Sequence, residues 1–337
     1  MTQATTTTRE IHLAARPAGT PVPSDFATVE TELPAPGPGQ VLVRNTWLSV
    51  DPYMRGRMND AKSYVPPYAL GEVMEGGAVG EIVASESDRV PVGATVIHQG
   101  GWREHALLDG REVRVVDVER APAEAYLGPL GMPGLTAYVG LTRIAQVNEG
   151  DTVFVSGAAG AVGTVAARVA RHLGAAQIVG SAGGPEKGKR LTEEFGYDAA
   201  IDYREGKLYR QLMAAAPGGV DVYFDNVGGD HLEAAIGAAN DHARMAICGA
   251  IAGYNATARE PGPSNLWNLV SKRLTLRGFI VLDHYDLASE YAALAAGWLA
   301  DGSLPFERTV VDGFEQTIDA FLGLFGGANT GKMLVRL

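Results

Sequence analysis

The feature that most constrains this chain is the run Ser156-Gly157-Ala158-Ala159-Gly160-Ala161-Val162-Gly163, set between the apolar stretch TVFV and the helix-like AVGTVAARVARHLG. A strand that passes through closely spaced glycines straight into a helix makes a tight turn. Its backbone lies near enough to touch a pyrophosphate, and the helix packs closely on the strand. Free N–H groups at the helix start and the helix dipole then favour a diphosphate. Ala158 occupies the first glycine position of G-x-G-x-x-G, so taken alone the run also reads as a close-packed turn without a ligand. The downstream segments weigh against that: AQIVGS, the polar amphipathic PEKGKRLTEEFG, AAIDY, GVDVYFDNV, HLEAAIGAAN, ARMAICG and LTLRGFIV alternate strand with helix. Strands this short and apolar are suited to cover on both faces, which predicts a doubly wound parallel sheet in an α/β protein.

Before about residue 125 the texture is different. QVLVRNTWLSV after PAPGPG, then AVGEIV and ATVIH, are β-type runs between turn formers. After a helix-like Ala288–Ala300, the segments FERTVV, GFEQTIDAFLGLF and GKMLVRL predict a strand, a helix and a strand that could return to the first domain. The 337 residues suggest two domains. A net charge of −11 with no compact basic block disfavours nucleic acid and anionic membrane as partners. The longest uncharged stretch, Ala125–Thr142, is broken by prolines and glycines, which disfavours a membrane span. A single cysteine, Cys248, excludes an intramolecular disulfide framework and Cys-rich zinc sites, and predicts a reduced, cytoplasmic setting.

Cofactor choice is read at the end of the second strand of the array, where NAD enzymes place a carboxylate on the ribose 2′-OH. The sequence there, Val179-Gly180-Ser181-Ala182-Gly183-Gly184, has no acid. Lys187, Lys189 and Arg190 follow and offer cations to a 2′-phosphate, so NADP is preferred. These three also read as solvated charges on an amphipathic helix; Lys187, nearest the helix start, is the favoured contact. No H-E-x-x-H, no C-x-x-C and no G-x-S-x-G appears, so neither a metal nor a nucleophilic serine is expected.

Six segments, in order along nearly the whole chain, resemble a known group: SVDPYMRGRM (Ser49–Met58), GMPGLTAYVGL (Gly131–Leu141), SGAAGAVG (Ser156–Gly163), YFDNVGG (Tyr223–Gly229), ICGAIAGYN (Ile247–Asn255) and NTGK (Asn329–Lys332). The chain resembles the zinc-independent medium-chain dehydrogenases/reductases, closest to the prostaglandin reductase, leukotriene B4 12-hydroxydehydrogenase and alkenal double-bond reductase family. The resemblance implies a GroES-like partly open β-barrel over residues 1–130 and 305–337, and a Rossmann NADP-binding domain over 131–304. It also implies NADPH-dependent reduction of the carbon–carbon double bond of α,β-unsaturated ketones and aldehydes, with no metal, and a homodimer.

Carried over residue by residue, it puts Gly160, Ala161, Val162 and Gly163 at the pyrophosphate, Asn226 on the cofactor, and Tyr203 and a lysine, Lys187 or Lys189, near the 2′-phosphate. Cys248, Gly249, Ala250, Ile251 and Tyr254, with Phe279, Ile280 and Val281, would line the nicotinamide half. Asn329 would be a late cofactor contact, and Met132 and Thr136 would face the nicotinamide pocket. In such an enzyme hydride reaches the β-carbon and the resulting enolate oxygen needs a donor. Tyr254 is the expected one, since it ends a segment where the C-termini of sheet strands meet a ligand crevice. Tyr53 and Arg55 are second candidates at the substrate mouth, although Asp51-Pro52 also reads as a plain turn and Arg55 as a cation that fixes it. Quinone reduction on the same fold, or NADPH binding without catalysis, are the competing functions.

Overall fold

The structure, a computed structural model, describes residues 5–258 and 261–337. They form two compact units: one runs to Leu127 and includes Arg308–Asn329 and Met333–Leu337, and the other comprises Gly128–Glu307 and Thr330–Lys332.

The first unit opens with β1 (Thr6–Leu13) and β2 (Phe26–Leu33), an antiparallel pair. Then come β3 (Gln40–Ser49), the short helix α1 (Tyr53–Arg57), β4 (Ala78–Ser85), β5 (Thr95–His98), β6 (His105–Asp109) and β7 (Arg114–Val115). β3 pairs antiparallel with both β4 and β6, and its register with β4 shifts at Leu42/Val43 and again at Asn45/Trp47. Such irregularities bend a strand and increase its twist, which lets one strand serve several partners.

The second unit begins with α2 (Met132–Val139) and then alternates: β8 (Thr152–Val155), α3 (Gly163–His172), β9 (Gln177–Ala182), α4 (Pro185–Glu193), β10 (Ala199–Asp202), α5 (Leu208–Ala215), β11 (Val220–Asp225), α6 (Gly229–Ala238), β12 (Ala239–Ile247), α7 (Trp267–Ser271), β13 (Thr275–Gly278) and α8 (Ala288–Ala300). The spatial order β10-β9-β8-β11-β12-β13 is parallel throughout. The order therefore reverses between β8 and β11, where a doubly wound sheet opens a crevice at its strand C-termini. Period-2 alternation divides β8 between two cores. Val153 and Val155 pack with Val165 and Val169 of α3, while Phe154 turns to the other face with Leu212 and Ile236 and stacks on Tyr223 at 5.1 Å.

The chain then adds β14 (Arg308–Asp312), α9 (Thr317–Phe325) and β15 (Lys332–Arg336) to the first unit, where β15 pairs antiparallel with β3. Phe321 of α9 meets Trp102 edge-on at 5.5 Å inside that unit's core.

Two element boundaries differ from the sequence reading. LTLRGFIV is strand only to Gly278: Phe279 and Ile280 lie in a connection, and Val281 opens a 3-10 turn. HLEAAIGAAN is helix only to Ala238, because β12 starts at once and Asn240 Nδ2 donates to Asp221 Oδ1 at 2.8 Å. No helix among the described residues is long and apolar enough to cross a membrane.

Candidate active site

The glycine run turns where β8 ends, but not on the residue the motif suggested. Gly157, at φ +60°, makes the left-handed step, one position before Ala158. A non-glycine residue rarely adopts that conformation, so the turn glycine has moved rather than vanished. Ala158 then packs into space that a side chain at Gly180 would need, since a Cβ there would come within 2.9 Å of the Ala158 Cβ. Gly163, the first residue of α3, allows the helix to seat on the turn: a Cβ would lie 2.5 Å from Ala158 Cα, Ala158 O and Gly157 O. Across the turn, the Gly331 amide donates to Ala159 O at 2.7 Å and Gly331 pairs with Gly160 in a parallel bridge, so the segment 330–332 is fastened to the turn.

The end of β11 is tied to the same place by a buried carboxylate that the sequence reading passed over. Asp225 Oδ1 accepts from Ser156 Oγ at 3.0 Å, Tyr223 Oη at 2.7 Å, the Val227 amide at 2.9 Å and the Gly228 amide at 2.8 Å. Asn226 in turn donates its amide to Ser156 Oγ at 2.9 Å and Nδ2 to the Ser156 carbonyl at 2.7 Å. Both sides of the crevice are thus cross-linked through Ser156, which fixes Asn226. Oδ1 takes all four of the Asp225 bonds, while the buried Oδ2 has no hydrogen-bond partner among the described residues, and in the sequence Asp225 reads only as the sixth and last residue of a strand.

Beyond β12, Cys248 and Gly249 donate their amides to Asp225 O at 2.8 and 3.0 Å. Loss of solvent, with the Asp225 charge second, pushes the Cys248 thiol up to about 12, so it stays protonated near neutrality. Ala250 is exposed, Ile251 opens a 3-10 turn, and Tyr254 closes it. The Tyr254 hydroxyl lies back over this loop: it accepts from the Ala250 amide at 3.5 Å, and a Cβ on Gly249 would sit 3.3 Å from it and 3.2 Å from Asn226 O. Burial raises the Tyr254 pKa, which keeps the hydroxyl a donor. Phe279 stands edge-on to Phe224 at 6.3 Å and Val281 is buried, so both side chains serve the core of the second unit. On α2, Met132 is exposed, and Thr136 Oγ1 donates to Met132 O at 2.7 Å.

Around β9 the two lysines separate. Lys189 is exposed and reaches Glu193 at 3.9 Å, while Arg190 is held by Glu194 at 2.6 Å and Glu307 at 2.7 Å. Lys187 is half-buried, its pKa lowered by burial and then by the nearby Arg204 charge. Tyr203 is half-exposed beside His231, with ring centroids 5.5 Å apart. Arg204 itself was not singled out from sequence, because an arginine in the polar run YREGK looks like any solvated one.

Tyr53 and Asn329 belong to the first unit, all the other candidate residues except Arg55 to the second. Tyr53 begins α1, and burial raises its pKa. Arg55, on the same helix, fixes the chain: it donates Nη2 to Gly19 O at 2.8 Å and Nη1 to Asn59 Oδ1 at 2.7 Å.

Two family descriptions match the chain: "N-terminal domain of oxidoreductase" over residues 9–116 and "Zinc-binding dehydrogenase" over 161–297. Among the described residues no group of three His, Cys, Asp or Glu could hold a metal ion, so they do not fit the zinc that the second description names. The chain is 46% identical to the putative NADP-dependent oxidoreductase YfmJ of Bacillus subtilis, over 99% of this chain and 98% of that one. It is 39% identical to the NADPH-dependent curcumin reductase of Escherichia coli, over 96% and 95%. The crystal structure of CurA from Vibrio vulnificus in complex with NADPH superposes with a TM-score of 0.93 at 40% identity, over 97% and 98% of the two chains. With a reversed parallel sheet, a glycine turn at its switch point and likenesses along nearly its whole length, the chain belongs to the zinc-independent medium-chain dehydrogenase/reductase family, in the branch of the prostaglandin, alkenal and curcumin reductases.

Proposed function

We propose that this protein is an NADPH-dependent oxidoreductase that reduces the carbon–carbon double bond of α,β-unsaturated ketones and aldehydes. The observation that carries the reading is the Tyr254 hydroxyl, kept protonated by burial and held over Gly249 and Ala250 beside Asn226. It is a neutral donor at the crevice of a sheet whose described residues offer no metal site.

Gly160, Ala161, Val162 and Gly163 receive the pyrophosphate, with Lys187 and Tyr203 at the 2′-phosphate. Asn226, Cys248, Gly249, Ala250, Ile251 and the backbone from Phe279 through Ile280 to Val281 border the nicotinamide half, with Met132, Thr136 and Asn329 as further contacts. Bound NADPH supplies the hydride for the β-carbon. Tyr254 donates a hydrogen bond to the substrate oxygen as negative charge gathers there, an interaction stronger in the transition state than in the ground state. A proton taken up at the α-carbon completes the reduction. Tyr53 lines the substrate mouth. The relatives' names support the cofactor, as does the NADPH in the Vibrio structure.

A homodimer is part of this reading. Edge strand β13, with exposed Trp267 and Val270 on α7 just before it, is its candidate face, and sedimentation equilibrium tests it.

The activity is tested by NADPH oxidation with matched alkenals, enones and quinones, and with NADPH deuterated at C4. The expected product carries deuterium on the β-carbon. Faster turnover of quinones than of every alkenal and enone, or no turnover at all, would overturn the assignment.

A further inference from the structure

We propose that Arg204, on the turn after β10, is the second cation of the adenosine 2′-phosphate subsite and, together with Lys187, sets the preference for NADPH over NADH. The inference rests on the cofactor reading above and adds to it a residue that reading does not contain.

β9 ends in Ser181-Ala182-Gly183-Gly184 without an acid, and the Arg204 side chain lies over that turn. A Cβ on Gly183 would come within 2.9 Å of Arg204 Nε and 2.7 Å of Tyr203 Oη, and one on Gly184 within 3.7 Å of Arg204 Nη1. Two successive glycines therefore leave the space that the guanidinium and the phenol cover. The backbone on both sides is clamped by one oxygen: Asp202 Oδ1 accepts from the Gly184 amide and from the Arg204 amide, each at 2.9 Å. The clamp joins the ends of β9 and β10, so the arginine is carried on a fixed turn rather than a loose loop. It also engages the Asp202 carboxylate with two N–H groups, and that carboxylate makes no ion pair with the guanidinium.

Neighbouring cations have carboxylates. Lys189 has Glu193, Arg190 has Glu194 and Glu307, and Arg171 has Asp198 at 2.8 Å. Among the described residues Arg204 has none within ion-pair distance. It faces instead a like charge, the Lys187 ammonium, whose pKa it helps to lower. Two cations brought together oppose each other, and a bound dianion turns that repulsion into attraction. A phosphate monoester matches both halves of the pair: the planar guanidinium fork binds two oxygens at once, and the ammonium acts as a point charge. A ribose 2′-hydroxyl offers neither cation a charge.

The test is calorimetric titration of the full chain with adenosine 2′,5′-bisphosphate and with 5′-AMP, which carry the adenosine end of each cofactor and no nicotinamide. Arg204→Ala is expected to weaken the bisphosphate about 10- to 100-fold and 5′-AMP by less than about threefold. Arg204→Lys should recover part of the loss, since it restores the charge but not the fork. Because Arg204 is exposed, the variants should keep the melting temperature of the parent. Unchanged bisphosphate affinity in Arg204→Ala, or equal weakening of both nucleotides, overturns the proposal. If the parent protein itself does not prefer the bisphosphate, the NADPH reading fails first. If it does, and only Lys187→Ala removes the preference, the assignment of Arg204 alone fails.

Discussion

Two arginines, Arg55 on α1 in the first unit and Arg204 after β10 in the second, stand in motif-like polar segments and have opposite fates. Arg55 is buried, with its guanidinium on a backbone carbonyl from Gly19, far away in sequence, and on Asn59. Arg204 is exposed, faces Lys187 and has no carboxylate partner among the described residues. A charge whose hydrogen bonds are already made by the fold stabilises the fold; one held in place with its charge unopposed is available to a ligand.

The glycines test this contrast most severely. Gly163→Val should destabilise the second unit by about 3 kcal/mol or more, because its Cβ has three backbone atoms at 2.5 Å that cannot yield. A melt indistinguishable from the parent would break the account of the turn. Next in size, Tyr254→Phe should lower kcat about 100-fold with little change in the NADPH KM, the pattern of a donor that acts in the transition state. Tyr53→Phe should cost less than Tyr254→Phe, and the reverse order in steady-state rates would exchange their roles.

Lys187→Ala should raise the NADPH KM some tens-fold and leave that for NADH nearly unchanged, whereas Arg55→Ala should lower the melting temperature without altering the NADPH/NADH ratio. Acid should act through His98 of the first unit, whose imidazole burial pushes down to about 3 and whose Nδ1 accepts from the Gly100 amide. The unfolded chain takes up that proton near pH 6.5 and the folded one does not. Stability is therefore whole above about pH 6.5 and should fall by about 2 kcal/mol by pH 5. Urea unfolding from pH 7.5 to 4 should show the decline flattened in His98→Asn. The smallest effect belongs to Gly56 on α1, where a Cβ meets nothing within 4 Å: Gly56→Ala should stabilise by about 0.5 kcal/mol.

Much of the second unit was legible, because short apolar strands alternating with amphipathic helices leave few other ways to bury both faces of a sheet. Of its crevice, the glycine turn was legible in outline. The glycine run pointed to the turn, but the left-handed step fell on Gly157 rather than at the position of Ala158, since which glycine carries a positive φ depends on what Ala158 and Gly180 pack against. Asp225 looked like one more strand residue, and only the four donors converging on it reveal its work. For DPYMR the sequence left Arg55 between a substrate mouth and a turn, and the Gly19 carbonyl favours the second.

By itself the sequence determined the alternation of strands and helices, the glycine turn after β8 and the lack of an acid after β9, because local periodicity, backbone freedom and residue chemistry are all carried within a few positions. Which charges end up paired was decided only by the tertiary structure. Glu307 reaches Arg190 across 117 residues and, among the described residues, no carboxylate reaches Arg204; such distances between side chains exist only once the chain has folded.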